Sequence, residues 1–259
     1  MSTPDRRPVF LSPHYDDAEL SCGGTLATLA DAGARPLIIT IFGGEPTGEL
    51  NEFARQMHEL WGFGPQDAIA QRREEEACAA DILEVESRWL DLPDAIYREE
   101  RYLNDDHLFG AIHPREATLF RDIRDALFQL LDSLEIEPDA FFCPIGVGNH
   151  VDHQHVLATA QTLTFRGHEV IAWEDYPYAG DPGVDVETLA KRRSDGVPEI
   201  RPFDEAAMQQ KIAAINCYRS QHPVIFRFQG DPAEATRAYA ERIGNGSPAE
   251  RFWPLRSPM

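Results

Sequence analysis

Apolar residues in this chain alternate between short continuous runs and longer stretches in which they recur every three or four positions. The runs at 9–11, 36–42, 88–92, 140–145 and 169–173 have the length and β-rich content of strands. Helices are predicted over 24–32, 65–83, 117–134, 152–163, 204–218 and Pro232–Ile243. In the third of these, Leu119, Ile123, Leu127, Leu130 and Leu131 return mostly at spacings of three and four, which marks one buried face. Strands alternating with helices are the sequence form of βαβ units, so an α/β fold with a mainly parallel sheet is expected. Two polar segments bearing Gly and Pro, 95–116 and 178–201, read as long surface loops.

The 259 residues carry 24 Lys+Arg against 44 Asp+Glu, a net charge of −20. A protein this acidic lacks the basic face that holds nucleic acid by counterion release, so no nucleic-acid partner is expected. Hydrophobic residues at 42% suit one sizeable core, read here as a single domain over 1–259. The longest uncharged apolar stretch, 36–42, is far below the ~20 residues of a membrane helix. No membrane partner is therefore expected, and without a leader-like start the expected location is cytoplasmic. Cys22, Cys78, Cys143 and Cys217 are widely scattered and form no C-x-x-C pair, so all four are read as buried thiols.

Chemistry concentrates in two places. Ser12-Pro13-His14-Tyr15-Asp16-Asp17 follows the first strand and leads through Cys22-Gly23-Gly24 into the first helix. In open α/β sheets ligands gather at the carboxyl ends of strands, where this loop falls. His14 and Asp17 offer an imidazole and a carboxylate suited to zinc, leaving Asp16 free for another task. The plain alternative is a pair of aspartates capping the helix. Asn149-His150-Val151-Asp152-His153-Gln154-His155 follows the strand at 140–145 and a Gly146-Val147-Gly148 segment. Two such clusters at equivalent strand ends favour a joint site, in which the second contributes the third protein ligand of a catalytic metal.

His14-Tyr15-Asp16-Asp17 with Gly23-Gly24, together with His150-x-Asp152-His153, resembles the paired signatures of the PIG-L/LmbE family of zinc-dependent N-acetyl-sugar deacetylases. The likeness runs from Leu11 to about Gln221. It implies a Rossmann-like three-layer fold, one zinc ion per chain on His14, Asp17 and His153, and an N-acetylated sugar or sugar conjugate as substrate. It further implies Asp16 as general base, His150 as oxyanion donor and Asp152 behind His150; an assembly of several copies is a further family trait. His150 is expected to be protonated in the active form, with a rate that rises and then falls around neutrality. The chain departs from the family at Tyr15, where proline is usual, and at Gly148, where some members place a catalytic tyrosine.

Further candidates come from position. Arg72, in Gln71-Arg72-Arg73-Glu74, matches a family arginine and is expected to meet substrate, with a surface Arg–Glu network as the alternative. Asp175 and Tyr176 follow the strand at 169–173 and are expected to hold sugar hydroxyls and a ring face. Lys211 and the segment 218–221 are read as buried structure, and His155 as structural. His58 and Trp61 belong either to a pocket wall or to packing. Two readings stay open beside the deacetylase: a zinc amidase for another small molecule, and a non-catalytic sugar- or nucleotide-binding module. The spaced G-x-G-x-x-G pattern that would favour the module is absent.

Overall fold

A computed structural model describes residues 5–64, 67–194, 196–227 and 229–255. Among them, seven strands form one sheet: β1 (Asp5–Ser12), β2 (Leu37–Thr40), β3 (Glu86–Trp89), β4 (Ile136–Pro144), β5 (Val170–Trp173), β6 (Glu199–Pro202) and β7 (Ala249–Pro254). Its order is β3-β2-β1-β4-β5-β7-β6; the first five strands are parallel, and β7 runs antiparallel to both β5 and β6. The helices are α1 (Asp17–Asp31), α2 (Glu52–Leu60), α3 (Ala68–Leu83), α4 (Asp105–Leu108), α5 (Leu119–Ser133), α6 (Val151–Thr164), α7 (Val186–Arg193), α8 (Glu205–Ile215), α9 (His222–Ile225) and α10 (Pro232–Ile243). The predicted helix at 65–83 begins on two residues outside those described.

Alternation along each strand builds the three layers. Val9 and Leu11 of β1, with Leu37 and Ile39 of β2, face a core shared with Ile123, Leu127 and Leu131 of α5 and Val156 and Ala160 of α6. Phe10 and Ile38, one residue out of step, face the opposite core with Leu26 of α1, Leu83 of α3 and Met208 of α8. The α5 stripe read from sequence is therefore plain core.

Glycines 23 and 24 serve packing. A Cβ on Gly24 would lie 2.5 Å from the Phe203 ring, and one on Gly23 would lie 2.7 Å from Cγ of Lys211. That close approach lets Glu250 of β7 accept the backbone N–H groups of Gly24 and Thr25, both at 2.9 Å, and pair with Lys211 at 2.6 Å.

One cysteine expectation is corrected. Cys22 and Cys143 are free and buried, but Cys78 on α3 and Cys217 just beyond α8 form a disulfide across 139 residues. Packing of α3 on α8 creates the pair, which spacing in the chain does not reveal.

The chain leaves β1 toward β2 and β3, then returns to place β4 on the other flank of β1. The crevice between the carboxyl ends of β1 and β4 is thus the topological switch point of the sheet. Both histidine-bearing loops open onto it.

Candidate active site

The β1–α1 loop is fixed by its own side chains. Ser12 Oγ donates to the His14 carbonyl at 2.7 Å and accepts the Ala18 N–H at 3.0 Å, while Asp17 Oδ2 accepts the His14 N–H at 2.9 Å. Asp16 stands at the N-cap of α1 with φ of 120°, a conformation a non-glycine residue rarely holds. Tyr15 replaces the usual proline without disturbance, its hydroxyl donating to the Gly43 carbonyl at 2.9 Å. Across the crevice, Gly146, Gly148 and Asn149 all have positive φ and turn the β4–α6 loop so that His150 caps α6 and His153 lies on its first turn.

These two loops bring His14, Asp17 and His153 together. Asp17 Oδ2 lies 3.2 Å from His14 Nδ1 and 3.3 Å from His153 Nε2, all three residues are buried, and their candidate ligand atoms fall within 4.8 Å of one another. The remaining ring nitrogens are occupied: His14 Nε2 meets Asp152 Oδ2 at 3.0 Å and His153 Nδ1 meets Asp175 Oδ1 at 2.6 Å. A carboxylate behind each imidazole fixes which nitrogen keeps its lone pair, the arrangement of metal-binding histidines. A second cluster, His14, His150 and Asp152, is equally compact. Its carboxylate is already spent, because Asp152 also accepts the Ala95 N–H and meets Arg98 at 2.6 Å, and His150 Nδ1 accepts the Asp152 N–H.

Charge supports the first set. Burial alone would lower both histidines, but Asp94, Asp152 and Asp17 hold His14 well above its ordinary range, and Asp17 and Asp175 push His153 up to about 10. Asp17 is held well below the usual carboxylate range: burial opposes its charge, and the two histidines outweigh that. The pocket demands positive charge, and a divalent ion meets that demand while displacing the two protons. The donor set therefore fits a metal.

Asp16 differs from its neighbour. It is buried, and its ion-pair partner is Arg72, whose Nη2 lies 3.4 Å from Oδ2 and donates to the Tyr15 carbonyl at 2.8 Å. Burial raises its pKa; Arg72 lowers it and Asp17 raises it again, leaving it at about 8. The chain thus places a carboxyl poised near neutrality beside one that is fully ionised.

Several expectations change here. Asp152 does not back His150: its carboxylate serves His14, and only its backbone N–H meets His150. The surroundings of His150 oppose a charge on it, burial and then His14 holding its pKa well below the ordinary value, and because Nδ1 accepts the Asp152 N–H a neutral ring carries its proton on Nε2. Asp175 is spent on His153 and on the Gly146 and Val147 N–H groups at 2.8 and 2.9 Å, which leaves nothing for a sugar. Tyr176 is 2% exposed and packs with Leu20, Ile215 and Phe226, stacked on Tyr239, so its ring has no face to offer. Arg72 does reach the site, between Asp16 and the Trp61 ring 5.2 Å away. His58 stacks on Trp61 and meets the Tyr97 hydroxyl at 2.6 Å. His155 pairs with Glu116 at 3.2 Å, away from the ligands.

Sequence reasoning missed Asp94, whose Oδ2 lies 3.6 Å from His14 Nε2, and Arg98, which holds Asp152. Asp94 has a signal that can be read, an aspartate just past a strand; Arg98 has none.

The sequence profile of PIG-L, described as GlcNAc-PI de-N-acetylase, matches residues 9–164. The chain is 28% identical to a 2'-N-acetylparomamine deacetylase of Niallia circulans over 98% of its own length and 92% of the relative's. A 2'-N-acetylparomamine deacetylase of Streptomyces fradiae is 30% identical, over 83% of this chain and 73% of that protein. Among solved structures, the zinc-inhibited form of the teicoplanin deacetylase Orf2 superposes with a TM-score of 0.82 at 26% identity, covering 96% of this chain and 98% of that one.

Proposed function

The chain belongs to the PIG-L family of de-N-acetylases, and from that membership and its site we propose that it hydrolyses the acetamide of an N-acetylated amino-sugar conjugate with one zinc ion per chain. The observation that carries this reading is the meeting of His14, Asp17 and His153 at the switch point with Asp16 beside them and uncommitted to the ligand set.

His14, through Nδ1, Asp17 and His153, through Nε2, would hold the metal, with Asp152 and Asp175 fixing the two rings. When bound, a divalent ion supplies Lewis acidity toward the amide and eases deprotonation of water. Asp16 takes the proton of the attacking water as the new C–O bond forms. It then returns that proton to the nitrogen as the C–N bond breaks, releasing acetate and a primary amine. His150 Nε2–H donates to the acyl oxygen as it gains charge, and the Asp152 N–H on Nδ1 keeps the ring in that tautomer. Arg72 holds the Asp16 carboxylate in place.

The test is release of acetate and amine from N-acetylglucosaminyl conjugates by protein stripped with a chelator and reloaded. Zinc is added at one equivalent and in excess, since a similar enzyme is known in a zinc-inhibited form. Turnover restored by one equivalent is expected; turnover unaffected by stripping would overturn the reading.

A further inference from the structure

Three basic residues close α7: Lys191, Arg192 and Arg193. Cations in the last turn of a helix ordinarily do no more than complement its dipole, and Lys191 and Arg192 are exposed in keeping with that. Arg193 differs. Val186 and Ala190 are the buried positions of α7, and Arg193, three residues beyond Ala190, continues their face. It is half-buried, and among the described residues no carboxylate forms an ion pair with it. Its Nη1 instead donates to the carbonyls of Ile145 and Gly146, at 2.5 and 3.2 Å, where β4 enters the loop that leads to His150 and His153. Gly146 admits that contact: its φ is +84°, and a Cβ there would lie 2.5 Å from Arg193 Nη1.

The two peptide groups that Arg193 meets are the same two that hold Asp175. The Ile145 carbonyl and the Gly146 N–H belong to one peptide unit, and the Gly146 carbonyl and the Val147 N–H to the next. Both N–H groups donate to Asp175 Oδ2, at 2.8 and 2.9 Å. Both units are trans, so each points its carbonyl and its N–H in opposite directions. The guanidinium therefore sits on the carbonyl ends and the carboxylate on the N–H ends. Successive N–H groups make an anion-binding concavity, and a cation at the far end of the same dipoles strengthens it. Asp175 Oδ1 then meets His153 Nδ1 at 2.6 Å, and His153 Nε2 lies 3.3 Å from Asp17 Oδ2 in the ligand set. Asp16 and Asp152 each have an arginine directly beside them, Arg72 and Arg98. Asp175 has its arginine one peptide removed.

We propose that Arg193 is a positioning residue for the metal ligand His153: through the two peptide groups between Ile145 and Val147 it fixes the Asp175 carboxylate, which in turn holds the His153 ring with Nε2 turned toward the ligand set. Arg193 touches neither substrate nor metal, and no proton moves along the series. This inference rests on the metal-centre reading given above. It adds α7, from a segment expected to be loop, to a site otherwise built from the loops after β1, β4 and β5.

The readout is zinc affinity, measured on the full chain by competition with a chromophoric chelator, so it does not depend on turnover. Arg193→Met keeps the stem and removes the charge and the donors. Its zinc affinity should fall roughly tenfold, the scale of changes made behind a metal ligand, and a fall of less than about threefold overturns the proposal. The decisive comparison repeats Arg193→Met in an Asp175→Asn background. If Arg193 acts through Asp175, its removal there changes zinc affinity by no more than about twofold, because the two substitutions break one series and do not add. If Arg193 only anchors the end of α7, the Met variant unfolds at lower urea and keeps its zinc affinity, or loses the same factor in both backgrounds. Either result overturns the proposal. Should Arg193→Met fail to fold, Arg193→Lys, which keeps the charge but not the planar fork, is put through both backgrounds. A loss of at least about threefold confined to the Asp175 background sustains the proposal, and any other pattern overturns it. A parent that binds no zinc overturns the metal centre itself, an outcome distinct from a parent that binds zinc no better than its Arg193 variants.

Discussion

At the scale of single residues, the informative contrast lies between two adjacent aspartates of the same type. Asp17 at the first position of α1 is surrounded by two imidazoles and fully ionised, whereas Asp16, one residue earlier with φ of 120°, faces Arg72 and is raised to about 8. Their roles therefore separate on substitution. Asp17→Asn removes the charge that His14 and His153 share, so metal content and activity should fall together. Asp16→Asn leaves all three ligands in place, and the shape that the strained backbone requires is kept. Metal should then stay bound while turnover drops by roughly 10² or more. Elemental analysis beside steady-state rates settles the matter, and a variant pattern with the two outcomes exchanged would show the assignment to be reversed.

At the scale of elements, what was legible in the sequence follows from burial. Strands β2 and β5, and the carboxyl-terminal halves of β1 and β4, are covered on both faces, so each of these stretches reads as an apolar run, and their order along the chain with intervening helices is enough to predict a parallel sheet. Strands β6 and β7 were not predicted. β6 is an edge strand of four residues with Ile200 43% exposed, and β7 sets Glu250 and Arg251 before only two aromatics, Phe252 and Trp253, so neither leaves a run. Helix α2 was hidden by its polar surface, and α7 lies inside the segment expected to be loop. The ligand loops could be read because their residues are neighbours in sequence. The Asp152–His14 and Asp175–His153 pairs could not, since they form only when β4 and β5 are laid beside β1.

Element packing also makes a prediction about Lys211, read from sequence as buried structure and found 2% exposed with its ammonium 2.6 Å from Glu250. This pair sits where α1, α8 and β7 meet, and the same carboxylate satisfies two α1 backbone donors. Lys211→Met preserves the chain length and apolar stem but strands the Glu250 charge. A loss of roughly 3–5 kcal/mol is expected by denaturant unfolding, because removing one partner of a buried pair leaves the other uncompensated. The folded fraction should keep its turnover, since among the described residues the polar partners of this pair are each other and the Gly24 and Thr25 N–H groups.

At the scale of the whole molecule, the segment 95–116, expected to be surface loop, is bound to the body of the fold by hydrogen bonds to its backbone, by a small apolar cluster and by one carboxylate that gathers several partners. Glu116 accepts from the Tyr102 hydroxyl at 2.8 Å and from Arg101 at 3.0 Å, pairs with Arg98 at 3.0 Å and meets His155 of α6 at 3.2 Å. Arg98 extends this network to Asp152 and so to His14, tying closure of the segment to order at the ligand loops. Burial works against the Glu116 charge, but His155, Arg98, Tyr102 and Arg101 outweigh it and bring the pKa down to about 2 from an ordinary 4.5. The sign follows from linkage: the unfolded chain binds this proton more readily than the folded one, so the stabilisation is complete above about pH 4.5 and is lost as pH falls toward 2. Many other carboxylates titrate in the same window in a chain with 44 acidic residues, so acid unfolding of the parent alone does not isolate this one. The difference between the parent and Glu116→Gln does. Urea unfolding of both proteins from pH 7 downward should show a constant gap of roughly 1–3 kcal/mol, the scale of hydrogen bonds to a charged group. The gap should then narrow steadily below about pH 4.5. A gap that is independent of pH down to acid unfolding would mean that shape, and not charge, is what Glu116 contributes.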